Sequence, residues 1–266
     1  MQTFDPTQPR PFTCNICGAS NVAIPAALER ETPSCTQCGS TVRMRGFVLA
    51  LSGMLFGRAH AIQEFPASIP LHGIGLSDWH GYADRLAQTV DYQNTYLTRA
   101  PMLDITAVPP ALRGSCDFVT SNDVFEHVVP PVSAAFEGAH ALLKPGGALV
   151  LCVPFAIHRE HTIEHFADLH AWEVRGSGEA ARLHNRTRDG REQVFDGLKF
   201  HGGEGSTLEM RIFSRTTLAE TLRQAGFVDI HFCDEDAPEF GVYWPIKKSL
   251  PVTARRPLRQ ETAATR

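Results

Sequence analysis

The chain has 266 residues, 43% hydrophobic and 20% charged, enough for one large domain or a medium domain with a small companion around a packed core. No run of 18 apolar residues occurs, so no membrane span is expected. The start, MQTFDPTQPRPFTC, lacks the basic and then apolar regions of a secretory signal, which points to a cytoplasmic protein.

The net charge of −4 is unevenly spread. Residues 1–60 hold five Arg against three acids, residues 247–266 hold six Lys or Arg against one Glu, and residues 61–246 carry net −11. So acidic a body is a poor platform for a phosphate backbone and argues against a nucleic-acid partner. The basic end, 247–266, reads as a solvated, partly disordered tail.

In chain order, the first feature is a pair of matching knuckles, Cys14-Asn-Ile-Cys17-Gly18 and Cys35-Thr-Gln-Cys38-Gly39, with 17 residues between them. Two thiolates three apart grip one metal from a tight turn, and the following Gly lets the backbone reverse. Two such turns make a closed four-sulfur site, which suits structural zinc. Residues 1–45 are therefore expected to be a small zinc ribbon, folded by its metal rather than by a core of its own. The stretch RMRGFVLALSGMLFG reads as a short amphipathic helix in a connector, 46–66, with Arg43 and Arg45 as surface or ligand-facing side chains. Cys116, Cys152 and Cys233 lie in apolar runs and read as inert core residues.

From 67 to 246 short apolar strands alternate with helical patterns. IPLHGIG reads as a strand and DWHGYADRLAQ as a helix; YQNTYL, MLDI and CDFVTSN read as the next three strands. PVSAAFEGAHALL is a helix stopped by KPGG, and ALVLCVPF is a continuously apolar fifth strand, as a central parallel strand should be. SRTTLAETLRQAG is a helix between Ser214 or Thr216 and Gly226, and FVDIHF is a sixth strand. The class is α/β: a doubly wound, Rossmann-like sheet preceded by a small ribbon, with any ligand beyond the carboxyl ends of the strands.

The run Asp117-Phe-Val-Thr-Ser-Asn-Asp123-Val-Phe-Glu126-His127-Val128, followed by LLKPGG and a strand ending Val153-Pro154-Phe155, resembles the class I S-adenosylmethionine-dependent methyltransferases of the small-molecule group. The resemblance covers about 67–155 and the AGF helix–strand near 213–233. It implies S-adenosylmethionine as cofactor and methyl transfer to a nucleophile that the protein positions and, where needed, deprotonates. Together with the ribbon, GIGLSDW, GYA and YQNTY are also similar to bacterial methyltransferase-domain proteins associated with glycan pathways. A small-molecule or glycan-linked acceptor is the corresponding expectation.

Carried over residue by residue, the family pattern assigns Gly73 and Gly75 to the cofactor. Its first acid is Leu71 here and its third glycine is Ser77. Asp78 either meets the ligand's ammonium group or caps the following helix. Asn94 stands where the family holds the ribose with an acid, Asp104 stands where it contacts adenine, and Asp123 completes the expected cofactor set. The helix that joins the second and third strands in the family is expected to be absent here.

The insertion 156–210 is where such folds build the acceptor pocket. It carries His158, His161, His165 and His170, and His127 precedes it; His127, His158 and His161 are candidate general bases. His161-Thr-Ile-Glu164-His165 also fits a metalloprotease zinc pattern if it is helical, although no third ligand is evident. HGGEGST (201–207) reads as a loop. Two other functions are weighed: a methyltransferase acting on RNA, and a non-catalytic binding module on a degenerate fold.

Overall fold

The computed structural model describes residues 5–201 and 207–258. The glycines of HGGEGST and residues 259–266 lie outside the described residues.

In the ribbon, β1 (Arg10–Thr13) pairs antiparallel with β2 (Ser20–Ala23). Gly18 and Gly39 take φ of +78° and +69°, so each chain can reverse just after its knuckle. α1 (Val42–Phe56) is capped by Thr41, whose hydroxyl accepts from Met44 N, and ends at Gly57 in the left-handed conformation. It crosses the expected boundary at residue 45 and is a buried layer rather than an amphipathic connector: Val42, Phe47, Val48 and Leu51 are fully buried. Arg45 is also fully buried, which corrects the expectation of a surface arginine. Its guanidinium donates to Ser40 O (2.8 Å), Ser34 Oγ (3.0 Å), Phe240 O (2.8 Å) and Gly241 O (2.9 Å), tying the ribbon to the main domain.

The main domain begins with β3 (His72–Leu76), α2 (His80–Thr89) and β4 (Asp91–Thr95), then β5 (Cys116–Asn122), α3 (Ser133–Leu142) and β6 (Leu143–Cys152). The insertion contributes β7 (Phe155–Ala156), β8 (Ile163–Glu164), β9 (Ala171–Arg175), β10 (Arg182–Arg186), β11 (Glu192–Phe195), β12 (Phe200–His201) and β13 (Thr207–Leu208). The chain continues through β14 (Arg211–Ser214), α4 (Arg215–Gln224), β15 (Val228–Phe232) and β16 (Val252–Arg255).

The central sheet has the order β15-β16-β6-β5-β3-β4. β3, β4, β5 and β6 are mutually parallel, and β16 runs antiparallel between β6 and β15. β6 is buried on both faces, as its apolar run predicts. Ala148, Val150 and Cys152 pack with α1 and α2 residues, while Leu149 and Leu151 pack with those of α3 and α4.

Three further segments differ from the sequence-based expectations. The region taken as a basic tail supplies β16, where Val252 and Ala254 are buried in the sheet. MLDI is not a strand: Asp104 Oδ1 accepts from Thr106 N (2.8 Å) and starts a short 3₁₀ turn at Ile105–Ala107. The segment 161–165 is not helical either. Ile163–Glu164 pairs with Arg211–Ile212 as a strand, so His161 and His165 do not share a helix face.

Candidate functional site

A cleft of about 590 Å³ opens beyond the carboxyl ends of β3, β4 and β5. This is where a wound parallel sheet gathers its loops and holds ligands. Leu97, Leu103, Ile105, Val124 and Val128 give it a largely apolar lining, and Tyr96, Asp104, Asp123 and His127 are the titratable side chains on its wall. Two wall residues have left-handed backbones without being glycine, Ser77 at φ +53° and Asp123 at φ +56°. Both follow a strand directly and turn the chain across the cleft, a conformation that costs free energy and is held by its surroundings. Ser77 N donates to Thr95 O (2.7 Å) and Asp123 N to Cys152 O (2.8 Å).

The six expected cofactor residues divide. Asp104 and Asp123 line the cleft. Gly73 and Gly75 do not; they lie within β3, and the turn residue is Ser77. Their missing side chains make room inside the sheet: a Cβ on Gly73 would come within 2.1 Å of the Phe118 ring and one on Gly75 within 1.8 Å of the Tyr92 hydroxyl. Asp78 is buried beneath the strand ends and is not the cap of α2, whose N-cap residue is Trp79. Its Oδ2 accepts from the hydroxyls of Tyr92 (2.7 Å) and Thr120 (2.6 Å). Burial pushes its carboxyl above the usual range, and those hydroxyls partly offset the shift. Asn94 pins the loop above it, accepting from Asp78 N (2.9 Å) and donating to Asp78 O (2.8 Å).

Of the candidate bases, His127 lines the cleft, whereas His158 and His161 are exposed on the insertion and take no part in its wall. The ring of His127 stands 3.0 Å from Leu208 O through Nδ1, and burial lowers its pKa. Behind it the loop 125–128 is held by Arg211, which donates to Phe125 O (3.0 Å) and Val128 O (2.6 Å) and pairs with Glu164 (2.7 Å). Asp123 pairs with Arg43 (2.8 Å), so Arg43 faces the cleft side of the sheet rather than open solvent.

Sequence reasoning missed Glu126, His201 and Glu209. Glu126 is fully buried, and burial raises its pKa well above the carboxylate range. The one local signal was the Glu126-His127 pair directly after a strand; the approach of His201 is a long-range consequence of the insertion.

In the ribbon, Cys14, Cys17, Cys35 and Cys38 bring their sulfurs within 4.8 Å of one another. Cys14 and Cys38 are 3.7 Å apart and Cys17 and Cys35 3.6 Å. A tetrahedral zinc site with bonds of about 2.3 Å separates its sulfurs by about 3.8 Å, so the four thiols fit that ion. Burial opposes charge on Cys35, yet the amides of Cys38 and Gln37 bring it down to about 6. The positive Arg45 beside the cluster favours thiolates.

A family model described as a methyltransferase domain matches residues 77–231. Among solved structures, a CurJ carbon methyltransferase is 14% identical at a TM-score of 0.45, covering 74% of this chain and 51% of its own, so this chain spans about half of that one. CalS10 of Micromonospora echinaspora, an amino pentose methyltransferase of calicheamicin biosynthesis, is 15% identical at 0.45, covering 82% of this chain and 92% of its own. The 1,6-didemethyltoxoflavin-N1-methyltransferase of Burkholderia thailandensis is 16% identical at 0.41, covering 82% and 91%. No curated protein matches the chain.

Proposed function

We propose, from the premise that the chain belongs to the methyltransferase-domain family, that it transfers a methyl group from S-adenosylmethionine to a small-molecule or glycan-linked acceptor. The observation that carries this reading is the cleft at the ends of β3, β4 and β5, apolar in its lining and bordered by Asp104 and Asp123. S-adenosylmethionine supplies, when bound, an electrophilic methyl on a cationic sulfonium. Carboxylates suit its ammonium and sulfonium charges and its ribose hydroxyls, and aliphatic walls suit its adenine.

In this reading Asp104 and Asp123 hold the polar groups of the cofactor, and Leu97, Leu103 and Ile105 exclude water from its ring. Ser77 supplies the turn that a glycine makes elsewhere in the family. His127 is the side chain on the wall fitted to receive a proton from an acceptor, since burial keeps its imidazole neutral near pH 7. Gly73, Gly75, Asp78 and Asn94 act indirectly, by shaping the sheet and pinning the loop. Zinc in the ribbon is structural: four thiolates leave no open position for a substrate.

Calorimetric titration of the zinc-loaded chain with S-adenosylhomocysteine tests this. Micromolar binding that Asp104→Ala weakens tenfold or more, about 1.4 kcal/mol, is the expected result. No heat at millimolar ligand would overturn the reading in favour of a binding module.

A further inference from the structure

We propose that Glu126, His127 and His201 form a second metal site, for a divalent transition-metal cation, at the inner wall of the cleft. One ligand atom from each residue lies within 4.8 Å of the other two. The decisive observation is Glu126. Its side chain is fully buried, and neither carboxylate oxygen has a hydrogen-bond partner among the described residues. A buried carboxylate left alone is costly, and native structures meet that cost with a proton or a cation. Neither nearby arginine bonds it: Arg43 pairs with Asp123 and Glu31, and Arg211 pairs with Glu164 and donates to Phe125 O and Val128 O, its Nη2 being without a hydrogen-bond partner among the described residues.

The His127 imidazole is oriented as a ligand is. With its proton on Nδ1, His127 donates to Leu208 O (3.0 Å), which leaves the lone pair on Nε2, 3.7 Å from Glu126 Oε1. That spacing is close to the separation of about 3.4 Å between two donors sharing one ion at about 2.1 Å. The rings of His127 and His201 meet edge to face with centroids 5.4 Å apart. The buried carboxylate of Glu209 holds His201 through one oxygen (3.3 Å) and His165 through the other (2.8 Å). A carboxylate behind a ligating imidazole is the usual outer support of a metal site.

Two imidazoles and one carboxylate suit zinc and its neighbours in the first transition row, and three protein ligands leave coordination positions open. Because His127 belongs to both the cluster and the cleft wall, those positions suit an acceptor that carries an oxygen donor; with its Nε2 on the cation, His127 is a ligand and no longer the base it is in the metal-free chain. This last consequence rests on the methyltransferase reading; the cation site does not.

Cobalt(II) is the probe. The full chain is first loaded with zinc to fill the ribbon, then titrated with Co²⁺ and followed by visible absorption. The expected result is one further equivalent, with the weak ligand-field bands of nitrogen and oxygen donors and no thiolate charge-transfer band. His201→Ala, on a half-exposed ring, and Glu126→Gln each weaken it at least tenfold while melting cooperatively and still binding S-adenosylhomocysteine. No cobalt beyond the ribbon, thiolate bands alone, or undiminished binding by either variant would overturn the proposal. Loss of S-adenosylhomocysteine binding by the wild-type chain would instead count against the methyltransferase reading.

Discussion

The ribbon and the wall of the cleft each gather metal-ligating side chains, and they do so in opposite ways. In the ribbon four thiols from two turns close around one point, and Ser40 contributes its hydroxyl 3.3 Å from Cys14 Sγ. Four soft donors there suit a zinc ion and would leave it no open position. At the cleft wall two imidazoles and a carboxylate come from β5's loop and a distant hairpin, within a domain whose core is already complete. Removing the first cluster is expected to loosen its module. Removing Glu126 from the second removes a buried, unpartnered carboxyl from a fold whose core lies elsewhere. The chemistry of the donors thus separates a site that makes structure from one free to make function.

The largest expected effect breaks the ribbon. Cys35→Ser should cost several kcal/mol, since structural zinc contributes on the order of 10 kcal/mol to small modules. Hydrogen exchange should then show residues 10–40 losing protection while β5 and β6 keep theirs. A ribbon still protected in the variant would mean the metal is dispensable. The opposite sign is expected at the wall. Without added metal, Glu126→Gln should leave the melting temperature unchanged or raise it, by roughly 1–2 kcal/mol of stability. A loss of 2 kcal/mol or more in a urea melt would show that Glu126 is structural and erase the contrast.

Asp78 is a control, a buried carboxylate with hydroxyl partners that belongs to neither cluster, and it gives the smallest effect. Its folded pKa is raised, so the native state favours its protonated form, and stability is lost as pH rises through the folded value. Asp78→Asn removes that loss while keeping an acceptor for Tyr92 and Thr120. The stability of the variant relative to wild type should therefore climb as pH rises above the carboxylate range, read from urea melts at a series of pH values. A gap independent of pH would mean that the hydroxyls fully compensate the carboxylate.

What the sequence made legible follows from how local each signal is. The knuckles are local, and so is the apolar run of β6; both stand where periodicity and spacing put them. The capping of α4 is local too: Ser214 Oγ accepts from Thr217 N (2.9 Å), and Gly226 follows the helix at φ +93°. β16 was hidden because Val252 and Ala254 alternate with Thr253 and Arg255 among basic residues, and their partners on β6 lie about a hundred residues away. Arg45 looked like a surface residue because nothing nearby in sequence announces the carbonyls of Phe240 and Gly241 that receive it. At the site, Asp104, Asp123 and His127 line the cleft, though only Asp123 directly follows a strand. Gly73 and Gly75 have a packing reason for being glycine that their spacing alone did not disclose. Glu126 and His201 meet only because the insertion folds back, a contact no short window contains.

The central claim is that the cleft beyond β3, β4 and β5 holds S-adenosylmethionine. Hydrogen exchange of the zinc-loaded chain, with and without saturating S-adenosylhomocysteine, tests it most directly. The expected result is slowed exchange in segments 76–78, 95–106 and 123–131, which form the cleft, and no change around Trp244, which packs against Gly46 of α1 and does not line the cleft. Unchanged exchange in those three segments, or protection confined to other parts of the chain, would contradict it.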